Sequence, residues 1–183
     1  MEESSLQVCS PIPGRLVGLR QVPDLVFSGM IVGAGIAVHP LPRAKKLTAV
    51  APISGRLIKL FPHAFMIASG EQTVLVHLGI DTVKMKGEGF TSHAQENEML
   101  KVGDPVTTFS VKRIEKAHYS SLCPVVVLDS TPSDLENLRP EGNQVDVGDL
   151  LFEISAAPAG DPSDGDARAL AQNAGGIALF FSR

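Results

Sequence analysis

Two pairs of self-similar segments restrict this chain's fold more than any other feature. Pro11-Ile-Pro-Gly-Arg-Leu-Val-Gly-Leu19 returns as Pro52-Ile-Ser-Gly-Arg-Leu-Ile-Lys-Leu60, with the core Pro-Ile-x-Gly-Arg-Leu kept. Each copy sets turn formers ahead of an apolar run, which is the pattern of a turn entering a strand. Downstream, Leu100–Phe109 and Val145–Ile154 each place Val-Gly-Asp before a strand-like stretch. Such repetition argues for duplicated β-structure, and the copies are too few for a solenoid or propeller.

The rest of the chain reads the same way. Val74 to Val76 and Leu122 to Leu128 are buried strands, the second ended by Asp129 and Ser130. Val22 to Val38 reads as strands punctuated by Pro23, Gly29, Gly33 and Gly35. Helical signal is confined to Val111–Lys116 and to Ser133–Leu138, the latter with Thr131 or Ser133 as N-cap. The expected fold is all-β: an antiparallel sandwich or barrel-like structure with internal duplication and a few short helical turns.

A chain of 183 residues with 44% hydrophobic residues suits one domain. We place an N-terminal extension at 1–7, the domain at 8–155, and a flexible Ala/Gly/Pro/Asp-rich tail or linker at 156–183, whose composition cannot bury enough surface to order itself. A net charge of −4 leaves no basic footprint, so nucleic acid is not an expected partner. Cys9 and Cys123 have neither metal-ligand spacing nor the number for a disulfide framework, which fits a reducing cytosol. The acidic start is not a signal peptide and no apolar run spans a bilayer, so a soluble, cytoplasmic protein is expected.

Chemistry concentrates at Val74–Phe90, where the apolar run ends in His77, then Gly79, Asp81 and the turn Gly87-Glu-Gly89. A titratable ring thus sits at a strand end. Taken alone, a histidine beside apolar residues is more often structural than catalytic. The string Val-His-Leu-Gly-Ile-Asp-Thr-Val-Lys-Met-Lys-Gly-Glu-Gly-Phe, however, closely resembles the phosphorylation signature of the glucose-type enzyme IIA domain of the bacterial sugar phosphotransferase system.

The resemblance covers roughly Val8 to Ile154, including Pro23-Asp-Leu-Val-Phe27, Ile31–Ile36, Ala51-Pro-Ile-Ser-Gly55 and Phe61-Pro-His63-Ala-Phe65. It implies a β-sandwich in which His77 accepts a phosphoryl group and His63 stabilises it. Asp81, Gly79 and Thr82 have supporting places. The family's threonine-containing loop between phenylalanine and histidine is here reduced to Pro62. The implied donor is the histidine-containing phosphocarrier protein, and the implied acceptor is a cysteine of a sugar-specific enzyme IIB/IIC permease. Regulated transporters or kinases are further partners. An apolar docking patch would draw on Val26, Phe27, Ile31, Val32, Phe61 and Leu75, all of which also suit a core.

No cofactor is implied. An occasional zinc ion between His63 and His77, completed by a partner's carboxylate, is favoured over a standing metal site. Two rivals remain. Val83-Lys84-Met85 superficially resembles the attachment site of biotinyl or lipoyl carriers, and His63, His77 and Asp81 have the ligand types of a catalytic zinc site in a hydrolase. His39, His93 and His118 read as ordinary solvated or structural histidines.

Overall fold

The computed structural model describes residues 5–155, so the tail placed at 156–183 and most of the extension at 1–7 lie outside the described residues. The chain forms β1 (Ser5–Cys9), β2 (Gly14–Val17), β3 (Gly33–His39), β4 (Lys46–Val50), β5 (Gly55–Phe61) and β6 (Ala64–Ser69). There follow β7 (Gln72–His77), β8 (Phe90–Ser92), β9 (Met99–Leu100) and β10 (Pro105–Ser110), then β11 (Cys123–Leu128), β12 (Leu135–Glu136), β13 (Gln144–Val145) and β14 (Leu150–Ser155). Two short helices, α1 (Leu25–Ser28) and α2 (Val111–Lys116), interrupt them.

Eight strands form one curled antiparallel sheet in the order β13-β2-β3-β11-β7-β6-β5-β9, and two three-stranded sheets, β1-β14-β12 and β4-β10-β8, pack with it. The repeats explain this order. On either side of the β11/β7 seam, β3 matches β6, β2 matches β5 and β13 matches β9. The two three-stranded sheets correspond in the same sense.

Backbone hydrogen bonds carry the correspondence to single residues. Cys9 N–H donates to Pro52 O at 2.9 Å while Val50 N–H donates to Pro11 O at 3.0 Å, so each copy of the repeat holds the other. Ser10 N–H reaches Asp149 O at 2.7 Å, and Ala51 N–H reaches Asp104 O at 2.8 Å. The shared glycine has a steric cause: a Cβ on Gly14 would lie 2.3 Å from His39 O, and one on Gly55 2.2 Å from Ala68 O. In both Val-Gly-Asp turns the glycine has positive φ, and the aspartate Oδ2 accepts from the amide three residues earlier at 2.8 Å.

Strand alternation divides the apolar residues between two faces. Leu16, Ile36, Leu57, Phe65, Ile67, Val74, Val76 and Val125 point into the main core, with Val8, Val106, Phe109 and Phe152. Ala37, Ala64, Met66, Leu75 and Val126 face the other way and are covered by Leu19, Val22 and Phe27. That second, smaller core contains the site.

Two local expectations are corrected. Val22–Val38 is not all strand: Asp24 accepts from Val26 N–H at 2.8 Å and starts the one-turn helix α1 before β3 begins. Ser133–Leu138 is a 3-10 turn, Pro132–Asp134, capped through Thr131, and Leu135–Glu136 then pairs with β14. Residues Thr82–Met85 form another 3-10 turn that no periodicity announces. The helix expected at Val111–Lys116 is present as α2, capped by Ser110.

Candidate functional site

His77 ends β7 opposite Ala64, the first residue of β6, and this register brings His63 beside it. Leu78 N–H donates to His63 O at 2.7 Å, extending the ladder one step past the strand ends. The two imidazoles stand with centroids 5.1 Å apart at an interplanar angle of 70°. Phe27 packs against the other side of His77 at 5.3 Å, edge to face, and Phe61 lies 5.8 Å from His63. Both histidines are only 4% exposed.

Beyond Leu78 the chain turns sharply. Gly79 has φ +78, and a Cβ there would lie 2.6 Å from Thr82 Cγ2 and 2.9 Å from Ser120 O. Only glycine fits this conformation and this space. Thr82 Oγ1 donates to Leu78 O at 2.8 Å, and Ile80 N–H to Ser120 O at 2.9 Å, so the turn is tied at both ends.

The turn presents the Gly79 carbonyl to His77 Nδ1 at 2.5 Å. A carbonyl can only accept, so Nδ1 carries the ring proton and the lone pair resides on Nε2. Burial pushes the His77 pKa down to about 4, against the opposing pull of the Gly79 bond. At neutral pH the ring is therefore uncharged and nucleophilic at one defined nitrogen. Cys123 is buried, and burial pushes its thiol up to about 12 despite a backbone hydrogen bond with Gly79, so it is no nucleophile.

The other candidate residues separate. Gly79 and Thr82 shape the turn. Asp81 is exposed in the left-handed region, φ +61, and its carbonyl accepts from Lys84 N–H at 3.1 Å. Among the described residues no three His, Cys, Asp or Glu side chains gather as a metal site, so Asp81 does not complete the zinc triad required of a hydrolase. Lys84 lies within the 3-10 turn Thr82–Met85 rather than at a hairpin tip, which removes the biotinyl or lipoyl reading.

The apolar candidates divide by exposure. Ile31 is 73% exposed, and Val26, Val32 and Phe61 are half-buried. Leu75, by contrast, is fully buried in the small core, because it shares the inward face of β7 with His77 and has no surface to offer a partner. Phe27 is 1% exposed and acts as a wall of the site. Leu25, at 83% exposure, is the apolar residue the sequence reading missed; its place after the cap Asp24 is the signal that could have found it. His39 and His118 are exposed, and His93 Nε2 is bonded to Thr108 Oγ1 at 2.6 Å.

Comparison with known proteins identifies the family and the fold. Residues 6–132 match the model of the family described as phosphoenolpyruvate-dependent sugar phosphotransferase system, EIIA 1. The chain is 33% identical over 145 residues to the PTS system glucose-specific EIIA component of Oceanobacillus iheyensis, covering 78% of this chain and 82% of that protein. A solved structure described as glucose permease IIA from Mycoplasma capricolum superposes with a TM-score of 0.72 at 29% identity, covering 82% of this chain and 96% of the other. The chain belongs to the EIIA 1 family of the phosphoenolpyruvate-dependent sugar phosphotransferase system, and its duplicated β-fold is that of a glucose-type enzyme IIA domain.

Proposed function

We propose that this protein is a phosphocarrier that receives a phosphoryl group on His77 Nε2 from the histidine-containing phosphocarrier protein. It passes the group to a cysteine of a sugar-specific enzyme IIB/IIC permease in the cytoplasm. The names of its relatives point to glucose as the sugar. The observation that carries the reading is the bond between His77 Nδ1–H and the Gly79 carbonyl, which leaves Nε2 as the nucleophile of a neutral ring.

In acceptance, the Nε2 lone pair attacks phosphorus and the bond to the donor's nitrogen breaks, its electron pair returning to the donor imidazole. The Gly79 carbonyl holds the Nδ1 proton throughout. The phosphorylated ring is thereby cationic, and when a thiolate attacks phosphorus the leaving group is a neutral imidazole. His63, whose ring centroid is 5.1 Å from that of His77, donates to the phosphoryl oxygens in this scheme as charge redistributes in a loose transition state. Exposed Ile31, half-buried Val26 and Val32 on and after the helix that carries Phe27, and Phe61 beside His63 suit the apolar contact both partners would share. No cofactor enters the scheme.

Incubation with phosphoenolpyruvate, enzyme I and the carrier protein is the direct test. Acid-labile, base-stable phosphate is expected on the protein, and His77→Ala is expected to abolish it while leaving the fold intact. Label found on His39, His93 or His118 instead would overturn the assignment.

A further inference from the structure

Beyond the turn that follows His77 lies a wide-open surface cavity of about 870 Å³, lined by Lys84, Lys86, Arg113, Lys116, Glu88 and Tyr119, with Met85 and Ala117 completing its wall. Four cations against one carboxylate make a strongly positive hollow in a chain whose net charge is −4. Among the described residues none of the four cationic side chains is taken up by an ion pair or a side-chain hydrogen bond.

The backbone sets these side chains in place. Val111 and Ile114 bury one face of α2, which leaves Arg113 and Lys116, three residues apart, on the exposed side. Lys84 comes from the 3-10 turn, and Lys86 adopts φ +52, a left-handed conformation that costs a non-glycine residue stability. A Cβ on Gly89 would lie 3.2 Å from Arg113 Cδ, so the missing side chain leaves room for the arginine stem.

We propose that this cavity binds a small phosphorylated sugar. The guanidinium of Arg113 and the three ammonium groups match a phosphate, which arginine can grip through two parallel N–H bonds. The Glu88 carboxylate can only accept, which suits the hydroxyls of a polyol and repels a dicarboxylate, while the Tyr119 hydroxyl can donate to either part of the ligand. The cavity is separate from the phosphoryl-transfer histidines, so its occupancy does not rest on the role of His77.

Isothermal titration calorimetry of the full chain in 150 mM salt tests this, with glucose 6-phosphate, inorganic phosphate and glucose as separate probes. Glucose 6-phosphate is expected to bind at least tenfold more tightly than inorganic phosphate, with glucose silent. The double variant Arg113→Ala, Lys116→Ala, both exposed positions, is expected to weaken binding at least tenfold while His77→Ala leaves it unchanged. Equal binding of both anions would reduce the site to general charge attraction and overturn the proposal. So would loss of binding in His77→Ala, or binding indifferent to the double variant. If phosphatidylglycerol vesicles bind in place of glucose 6-phosphate and the double variant abolishes that binding, the surface is a membrane contact instead.

Discussion

β2 and β5 begin with the same residues and end differently. After Val17 the chain runs through a 3-10 turn and α1 before entering β3 at Gly33, whereas after Phe61 it needs only Pro62 and His63 to enter β6. The other matched pair diverges too. From His77 the chain takes residues 78–89 to reach β8, while from Leu128 it takes only residues 129–134 to reach β12. The first excursion supplies Phe27, the tight turn supplies His63, and the long connection supplies Gly79 and Thr82. Where the halves agree, the residues build a scaffold; where they disagree, they build the surroundings of His77.

The largest effect is expected where a glycine of the site is replaced alongside one of the scaffold. Gly79→Ala puts a Cβ 2.6 Å from Thr82 Cγ2 at φ +78, and overpacking with backbone strain is expected to cost about 3 kcal/mol. Gly70→Ala has φ +57 and open space, so only the strain of about 1 kcal/mol applies. Urea denaturation compares the two. Equal losses would mean that the site turn is no more constrained than an ordinary hairpin.

The second measurement uses pH. An unfolded histidine titrates near 6.5 and folded His77 near 4, so below pH 6.5 the unfolded chain binds a proton that the folded chain refuses. Stability from this group is complete above pH 6.5 and is lost as pH falls to 4, by about 3 kcal/mol. The difference in unfolding free energy between the protein and His77→Gln is expected to shrink by about that amount over the interval. A constant difference would place His77 in contact with water.

Third, His63→Gln keeps a donor near His77 but cannot carry positive charge. Labelling is expected to persist while donation to a IIB domain slows at least tenfold, or about 1.4 kcal/mol of transition-state stabilisation. Single-turnover transfer from the labelled variant measures it, and unchanged donation would mean that the shortened turn contributes no catalysis. The smallest effect belongs to the scaffold: Gly103→Ala and Gly148→Ala, at φ +94 and +88 with nothing within 4 Å, are each expected to cost about 1 kcal/mol. Thermal unfolding that separates the two by more than their error would show that the halves are not energetically equivalent.

The duplicated scaffold is legible because both copies meet the same steric and hydrogen-bonding demands. A glycine pressed on a carbonyl and an aspartate capping a turn leave the same letters in both copies. His77 is legible as the end of an apolar run, and the pairing of His63 with it follows from the resemblance alone. α1 is hidden because one turn of helix has no period to detect, and only Asp24 marks it. Leu75 and Phe27 read as apolar, but which face they occupy depends on register across β6, β7 and the covering loop, a long-range property.

The pairing of β1 with β14 sets Ser5 directly opposite Ser155. The points where the chain enters and leaves the described domain are therefore neighbours at one end of an antiparallel ladder. Tension applied between these two residues peels the ladder open one hydrogen bond at a time, rather than shearing many at once. β2 and β13, the next strands along the chain, pair at the edge of the eight-stranded sheet, so tethering at both ends would load the outermost rungs first and reach β7 and His77 only after that edge has opened.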